Sequence, residues 1–373
     1  MKLIRLFLIW LLLSMLSLPG EALPAEHEDD PIRNGIRLSE LQTHSVRSIQ
    51  YWRQMDQSQA PDAHIGPAPA GLIEYLRMDN AFQGYSEKPV PASGDSEFIS
   101  DIKLAVSSLP GSVKVITERM LFYIALVRNL GGGTGYTDFV ADDDGSVAGG
   151  FIVLDEGALD RTANAWASWK EGSAFQPSAE QSLDVRIEEP GNDTRVNAIR
   201  YILLHELGHV IDAVLGVTQI DGGNAQNVSS GGFYGLSWIY PPASQGAVLP
   251  GDTVRSRFDA SWPGRETLAF YTFGNSRHTL SEAPSIYNWL QQTNFPTLYA
   301  ATSPADDFAE SFANYVHVVL DGRPFDVRLK QGANSTNLLE SCWASPRCAS
   351  KKMAVAHLLT RAAQLPKTIP SKN

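Results

Sequence analysis

The stretch Tyr201-Ile202-Leu203-Leu204-His205-Glu206-Leu207-Gly208-His209-Val210-Ile211-Asp212 decides how this chain folds and what it holds. It lies inside a longer run, Arg195 to Val214, whose apolar residues predict a helix, and Gly216 supplies a stop. On such a helix His205 and His209 stand one turn apart and project from one face. Two imidazoles so placed can share one zinc ion at about 2.0–2.1 Å. Glu206 can reach a water beside the metal without being a ligand, which suits a general base. The flanking Ile202, Leu203, Leu204, Val210, Ile211 and Val214 predict a buried helix. Buried histidines and a buried glutamate need partners for their polar atoms, and a metal is one.

Two histidines do not complete a site. In the metzincin arrangement a third His would fall at position 215 with Gly at 212. Here Leu215 and Asp212 stand there, which excludes that arrangement. A carboxylate on a downstream helix is the expected third ligand. Asp212, three residues after His209, can either orient that histidine or solvate the helix end.

The downstream segment is Tyr299-Ala-Ala-Thr-Ser-Pro-Ala-Asp306-Asp307-Phe308-Ala309-Glu310-Ser311-Phe312-Ala313-Asn314-Tyr315. It resembles the second half of a gluzincin site, in particular that of the group containing anthrax lethal factor and the Pro-Pro endopeptidases. The resemblance implies Asp306 as third metal ligand, Glu310 as partner of a ligand histidine, and Tyr299 as a phenol over the reacting carbonyl. It implies a zincin-like catalytic domain as well. One position departs from the group, which normally has Glu where this chain has Asp306. The side chain is a methylene shorter, so either its helix approaches the metal more closely or Glu310 ligates instead. Asp307 points about a hundred degrees away and is expected at the helix start.

Around the site the pattern predicts an α+β fold, mostly helical, with a small sheet. Helices are expected at Leu38–Met55, near Leu72–Met78, at Ile99–Ser107, Ser112–Leu130, Ala305–Leu320 and Lys351–Gln364. Tyr136–Val140 and Gly149–Leu154 read as strands joined by the turn Asp142-Asp143-Asp144-Gly145. That turn lacks the alternating ligands and distal Glu of a calcium loop. Thr218 to Pro263 is long, irregular and rich in Gly, Ser and Pro. Zincin peptidases bind extended peptide along a sheet edge, and Gly149-Gly150-Phe151-Ile152-Val153-Leu154 is a candidate edge, with Gly150, Phe151 and Ile152 touching substrate.

The chain of 373 residues divides by texture into a signal at 1–22, a helical and linker region at 23–97, a catalytic domain at 98–335 and a tail at 336–373. Lys2 and Arg5, the apolar run Leu6 to Leu18 and the small residues Gly20 and Ala22 read as a secretory signal, too short for a spanning helix. Export to periplasm or medium, with no stable membrane anchor, is the expectation. Removal of residues 1–22 leaves 28 basic and 40 acidic residues with no basic stripe, which argues against nucleic acid. Cys342 and Cys348, the only cysteines, are expected to form a small disulfide loop.

Three functions follow from these residues. The first is an exported zinc metallopeptidase acting on peptide or protein, with one Zn2+ per chain. The second is a zinc amidase acting on cell-wall peptides. The third is a non-catalytic, zinc-stabilised binding module, against which the presence of Glu206 argues.

Overall fold

The computed structural model describes residues 32–58, 64–93, 96–218, 232–239, 255–272 and 274–366. The expected signal at 1–22 and most of the irregular segment after Thr218 lie outside the described residues. The fold mixes helices with small sheets. Among the described residues no helix is long and apolar enough to cross a membrane.

The main sheet is built from β1 (Ile65–Pro67), β2 (Val90–Pro91), β3 (Leu121–Arg128), β4 (Gly135–Ala141) and β5 (Val147–Asp155). β5 lies between β3 and β4, parallel to the first and antiparallel to the second. β1 and β2 both pair with the outer edge of β3. The β4–β5 hairpin turns at Gly145 with φ +86°, and Asp142 and Asp144 accept from the turn's own amides. That is the plain turn the sequence predicts.

Helices cover both faces of the sheet. They include α1 (Ala70–Gln83), α2 (Ser96–Ser107), α3 (Gly111–Met120), α4 (Ala163–Gly172), α5 (Arg195–Leu215), α6 (Pro304–Tyr315) and α7 (Ala349–Gln364). The strand period of two sorts the core. Ile152 and Leu154 join the cluster built around α5, whereas Phe151 and Val153 join the one built from Trp52, Leu72 and Tyr75.

Ser112–Leu130 is not one helix. α3 stops at Met120, and Leu121 takes extended backbone at φ −99°, ψ 113°. Leu121 to Val127 are all buried. A strand covered on both faces gives an unbroken apolar run, which periodicity cannot tell from a buried helix. The Leu38–Met55 helix is also broken, into Leu38–Gln42, a tight turn at Ser45–Arg47 and Ile49–Ser58. The boundary expected at residue 98 does not separate two units, because β1 and β2 belong to the main sheet. Nor is the tail separate: the Arg119 guanidinium of α3 donates to the Leu365 carbonyl. Cys342 and Cys348 are bonded, as expected.

Candidate metal centre

α5 carries the two histidines because its sequence fixes both ends. Thr194 caps the first turn by accepting from the Asn197 amide, and Gly216 closes the last in the left-handed region at φ +62°. The helix is buried without interruption from Ala198 to Ala213. α6 starts at Ser303, whose hydroxyl accepts from the Asp306 amide, with Pro304 in the first turn. The two helices cross where Gly208 meets Ala309. A Cβ on Gly208 would lie 2.7 Å from the Ala309 Cα. The glycine inside the motif therefore lets α6 approach as closely as a short Asp306 side chain requires.

Three donor atoms converge at the crossing. The Nε2 atoms of His205 and His209 are 3.1 Å apart, and Asp306 Oδ1 lies 3.8 Å from each. Two nitrogens on one tetrahedral zinc would stand about 3.3 Å apart, so the pair has the spacing of co-ligands. Asp306 Oδ2 is already occupied, accepting from the Ser303 hydroxyl at 2.7 Å, which leaves Oδ1 for a metal. Burial, followed by the adjacent His205, holds the His209 ring well below its ordinary pKa, in the neutral form a ligand needs. The donor set fits a metal ion, and among the described residues it is the group able to hold one.

Glu206 sits beside these donors with its carboxylate fixed from below. Thr137 Oγ1 on β4 donates to Glu206 Oε2 at 2.6 Å. Gly135, two residues earlier, leaves the room: a Cβ there would meet Glu206 Oε1 at 2.5 Å. Burial raises the Glu206 pKa, opposed by His205 and the Thr137 hydrogen bond. A carboxyl held in this way is placed to exchange a proton with a neighbouring water.

Glu310 does not point at the metal position. Its Oε1 lies 3.0 Å from His205 Nδ1, close in distance though poorly aligned for a hydrogen bond, and pairs with the Lys170 ammonium. Thr297 Oγ1 donates to its Oε2 at 2.9 Å. Burial acts against ionisation, but Lys170 and His205 hold the Glu310 carboxyl far below the usual range. Of the two carboxylates left open by the sequence, Asp306 faces the metal position and Glu310 faces the ligand histidine.

Tyr299 sets its ring 5.6 Å from that of His205, tilted by 31°, and lines the same cavity of about 120 Å³ as His205, Glu206, His209 and Asp306. Lys170 lies over the same ring, with Nζ 4.3 Å from its centre. A second phenol, Tyr271, has its ring 6.1 Å from that of Tyr299 and holds its backbone at φ +58°. A left-handed aromatic residue costs about 1–3 kcal/mol and persists only where its surroundings impose it. Here the Tyr271 amide donates to Ser173 Oγ at 2.8 Å.

No protein-family model, no curated protein and no solved structure matches this chain.

Several expectations need correction. Asp212 does not serve His209: it caps the end of α5, accepting from the Thr218 amide at 2.8 Å and from the Thr218 hydroxyl. The His209 Nδ1 has no partner among the described residues. Gly150, Phe151 and Ile152 are not at a sheet edge, because β5 is flanked on both sides. Gly150 instead lets α5 lie against the sheet, since its Cβ would stand 2.9 Å from Val210 Cγ2. Phe151 packs on Trp52 with ring centres 5.3 Å apart, on the face away from α5. The open edge is β4, whose outer side makes only the isolated bridge Ser48–Ala141 among the described residues. Asp307 does lie in the first turn of α6, as expected, and it is buried there against the Lys351 ammonium and the Trp238 indole nitrogen, which ties α6 to α7.

Lys170 and Tyr271 escaped the sequence reading. Lys170 did leave a signal: Ala163, Trp166, Ala167 and Lys170 form one apolar stripe of α4 with a charge at its last position. For Tyr271 nothing local betrays the site.

Proposed function

We propose that this chain is an exported zinc-dependent hydrolase of amide bonds, a peptidase similar to the gluzincins. The observation that carries the proposal is the convergence of His205, His209 and Asp306 donors beside a Glu206 carboxylate that is not aimed to be a ligand. The two imidazoles and one carboxylate suit zinc, and a base placed next to them suits hydrolysis. When bound, a zinc ion would polarise a carbonyl and lower the pKa of a water to about 7.

The protein's own groups account for the rest. Glu206, braced by Thr137, takes a proton from the attacking water and returns it to the leaving amine. Tyr299 donates from its hydroxyl to the oxyanion that develops on the substrate carbonyl. Glu310 holds the His205 ring, and Lys170 holds Glu310. An extended peptide can add to the outer edge of β4, where Tyr136 and Thr137 line the cavity. The Cys342–Cys348 disulfide accords with an oxidising compartment, as does the signal-like sequence at the amino terminus.

The test is digestion of a peptide library by zinc-reconstituted protein. Internal cleavage is expected, abolished by a chelator and reduced roughly 10²–10⁴-fold by Glu206→Gln with zinc retained. Failure of the wild type to cleave any peptide, or full activity in Glu206→Gln, rejects the proposal.

A further inference from the structure

The cavity at the metal site has a second wall, formed by α1 and the turn that follows it, through Asp79, Gln83 and Tyr85. Asp79 is only 5% exposed, yet among the described residues its Oδ1 has no hydrogen-bond partner. Gln83 Nε2, one helical turn on, is also buried and has no hydrogen-bond partner among the described residues. Buried polar atoms are rarely orphaned, and a carboxylate is the most costly of them to leave so.

Charge at this wall does not balance. Asp79 and Asp138 are both buried, and Arg47 is the cation that reaches them. Arg47 Nη2 stands 3.3 Å from Asp138 Oδ1, and Asp138 also accepts from the Tyr75 hydroxyl and, at 2.7 Å, from the Phe139 amide. Asp138 is thus satisfied, and among the described residues Asp79 makes no ion pair. Burial and the Asp138 charge push the Asp79 carboxyl up to about 7, with Gln83 and Arg47 acting the other way. At neutral pH the carboxyl therefore stands between its neutral and ionised forms, with no cation of its own to hold the charge, and the residue lines the cavity where substrate must lie. A cationic group brought beside it would favour the ionised form.

We propose that Asp79 forms a cation subsite of this cavity, selecting substrates that carry an ammonium or guanidinium group close to the scissile amide. The orphaned Gln83 Nε2 is left to donate to a carbonyl of the same ligand. The cavity measures about 120 Å³, and one of about 150 Å³ admits benzene. The space takes one side chain or one chain end. The cation is either a Lys or Arg side chain or the free α-amine of a peptide. The subsite rests on the peptidase proposal for its biological meaning but not for its test.

The experiment is calorimetric binding to zinc-loaded Glu206→Gln protein, which cannot turn substrate over. The peptides move a single lysine through every position, each with a norleucine isostere and each with a free or acetylated amine. At one position the cationic peptide is expected to bind roughly 30-fold tighter or more than its neutral isostere. Adding Asp79→Asn should collapse that ratio, and Asp79→Glu, which keeps the charge, should retain it. Because each ratio is taken within one protein, partial loss of folded material cancels. Loss on norleucine substitution assigns the side chain, and loss on acetylation assigns the α-amine. A ratio near one, a ratio unchanged by Asp79→Asn, or no binding by any peptide overturns the subsite. Charge-selective binding without cleavage by the Glu206 protein keeps the subsite and rejects the peptidase. Cleavage without charge preference does the reverse.

Discussion

The Lys170 ammonium is buried against the Glu310 carboxylate, which itself lies 3.0 Å from Nδ1 of His205. The cation and the carboxylate thus lie behind the Nδ1 side of His205, whose Nε2 faces His209 and Asp306. Lys170, on a helix that carries none of the motif, is thereby one carboxylate away from a candidate metal ligand.

Lys170→Met should therefore weaken zinc binding by about 10- to 100-fold, the usual effect of removing an outer partner of a metal ligand. Competition with a chromophoric chelator measures it. An unchanged affinity would leave Lys170 as a packing residue over Tyr299 and nothing more.

Gly208→Ala should act through the helix crossing rather than through any donor. Its Cβ would stand 2.7 Å from the Ala309 Cα, so α6 must move off and carry Asp306 with it. A stability loss of about 1–3 kcal/mol is expected in urea unfolding, together with weaker zinc retention. A variant that keeps both would mean that the close crossing is not what positions Asp306.

Glu171 makes stability depend on pH. Burial raises its carboxyl to about 7 from the ordinary 4.5, against Lys170 and the Tyr287 hydroxyl that donates at 2.8 Å. Between those values the native state holds a proton that the unfolded chain releases. The stabilisation is complete below pH 4.5 and is lost as pH rises through about 7. Glu171→Gln, neutral throughout, should lose less stability across that window, by about 3 kcal/mol at most. Unfolding free energies that run parallel for the two proteins would remove Glu171 from the account.

Much of the site was legible because its information is local. The spacing of His205 and His209 and the Gly216 stop state a helix and its metal-bearing face, and the interval from Tyr299 through Asp306 to Glu310 states the second helix. What failed depended on neighbours distant in sequence. Leu121 to Val127 is a strand because both its faces are covered, which no window of residues reveals. The pair Gly149-Gly150 was read as room for substrate, whereas a side chain at Gly149 would collide with the Met120 carbonyl. Asp79 gave no warning, since its want of a cation shows only once Arg47 has been assigned to Asp138.

The most direct test of the central claim is elemental analysis of the purified protein beside Asp306→Ala and Glu310→Ala. One zinc per chain in the wild type, lost in Asp306→Ala and only weakened in Glu310→Ala, is the expected result. No zinc in the wild type after reconstitution, or full zinc in Asp306→Ala, would contradict the site described for His205, His209 and Asp306.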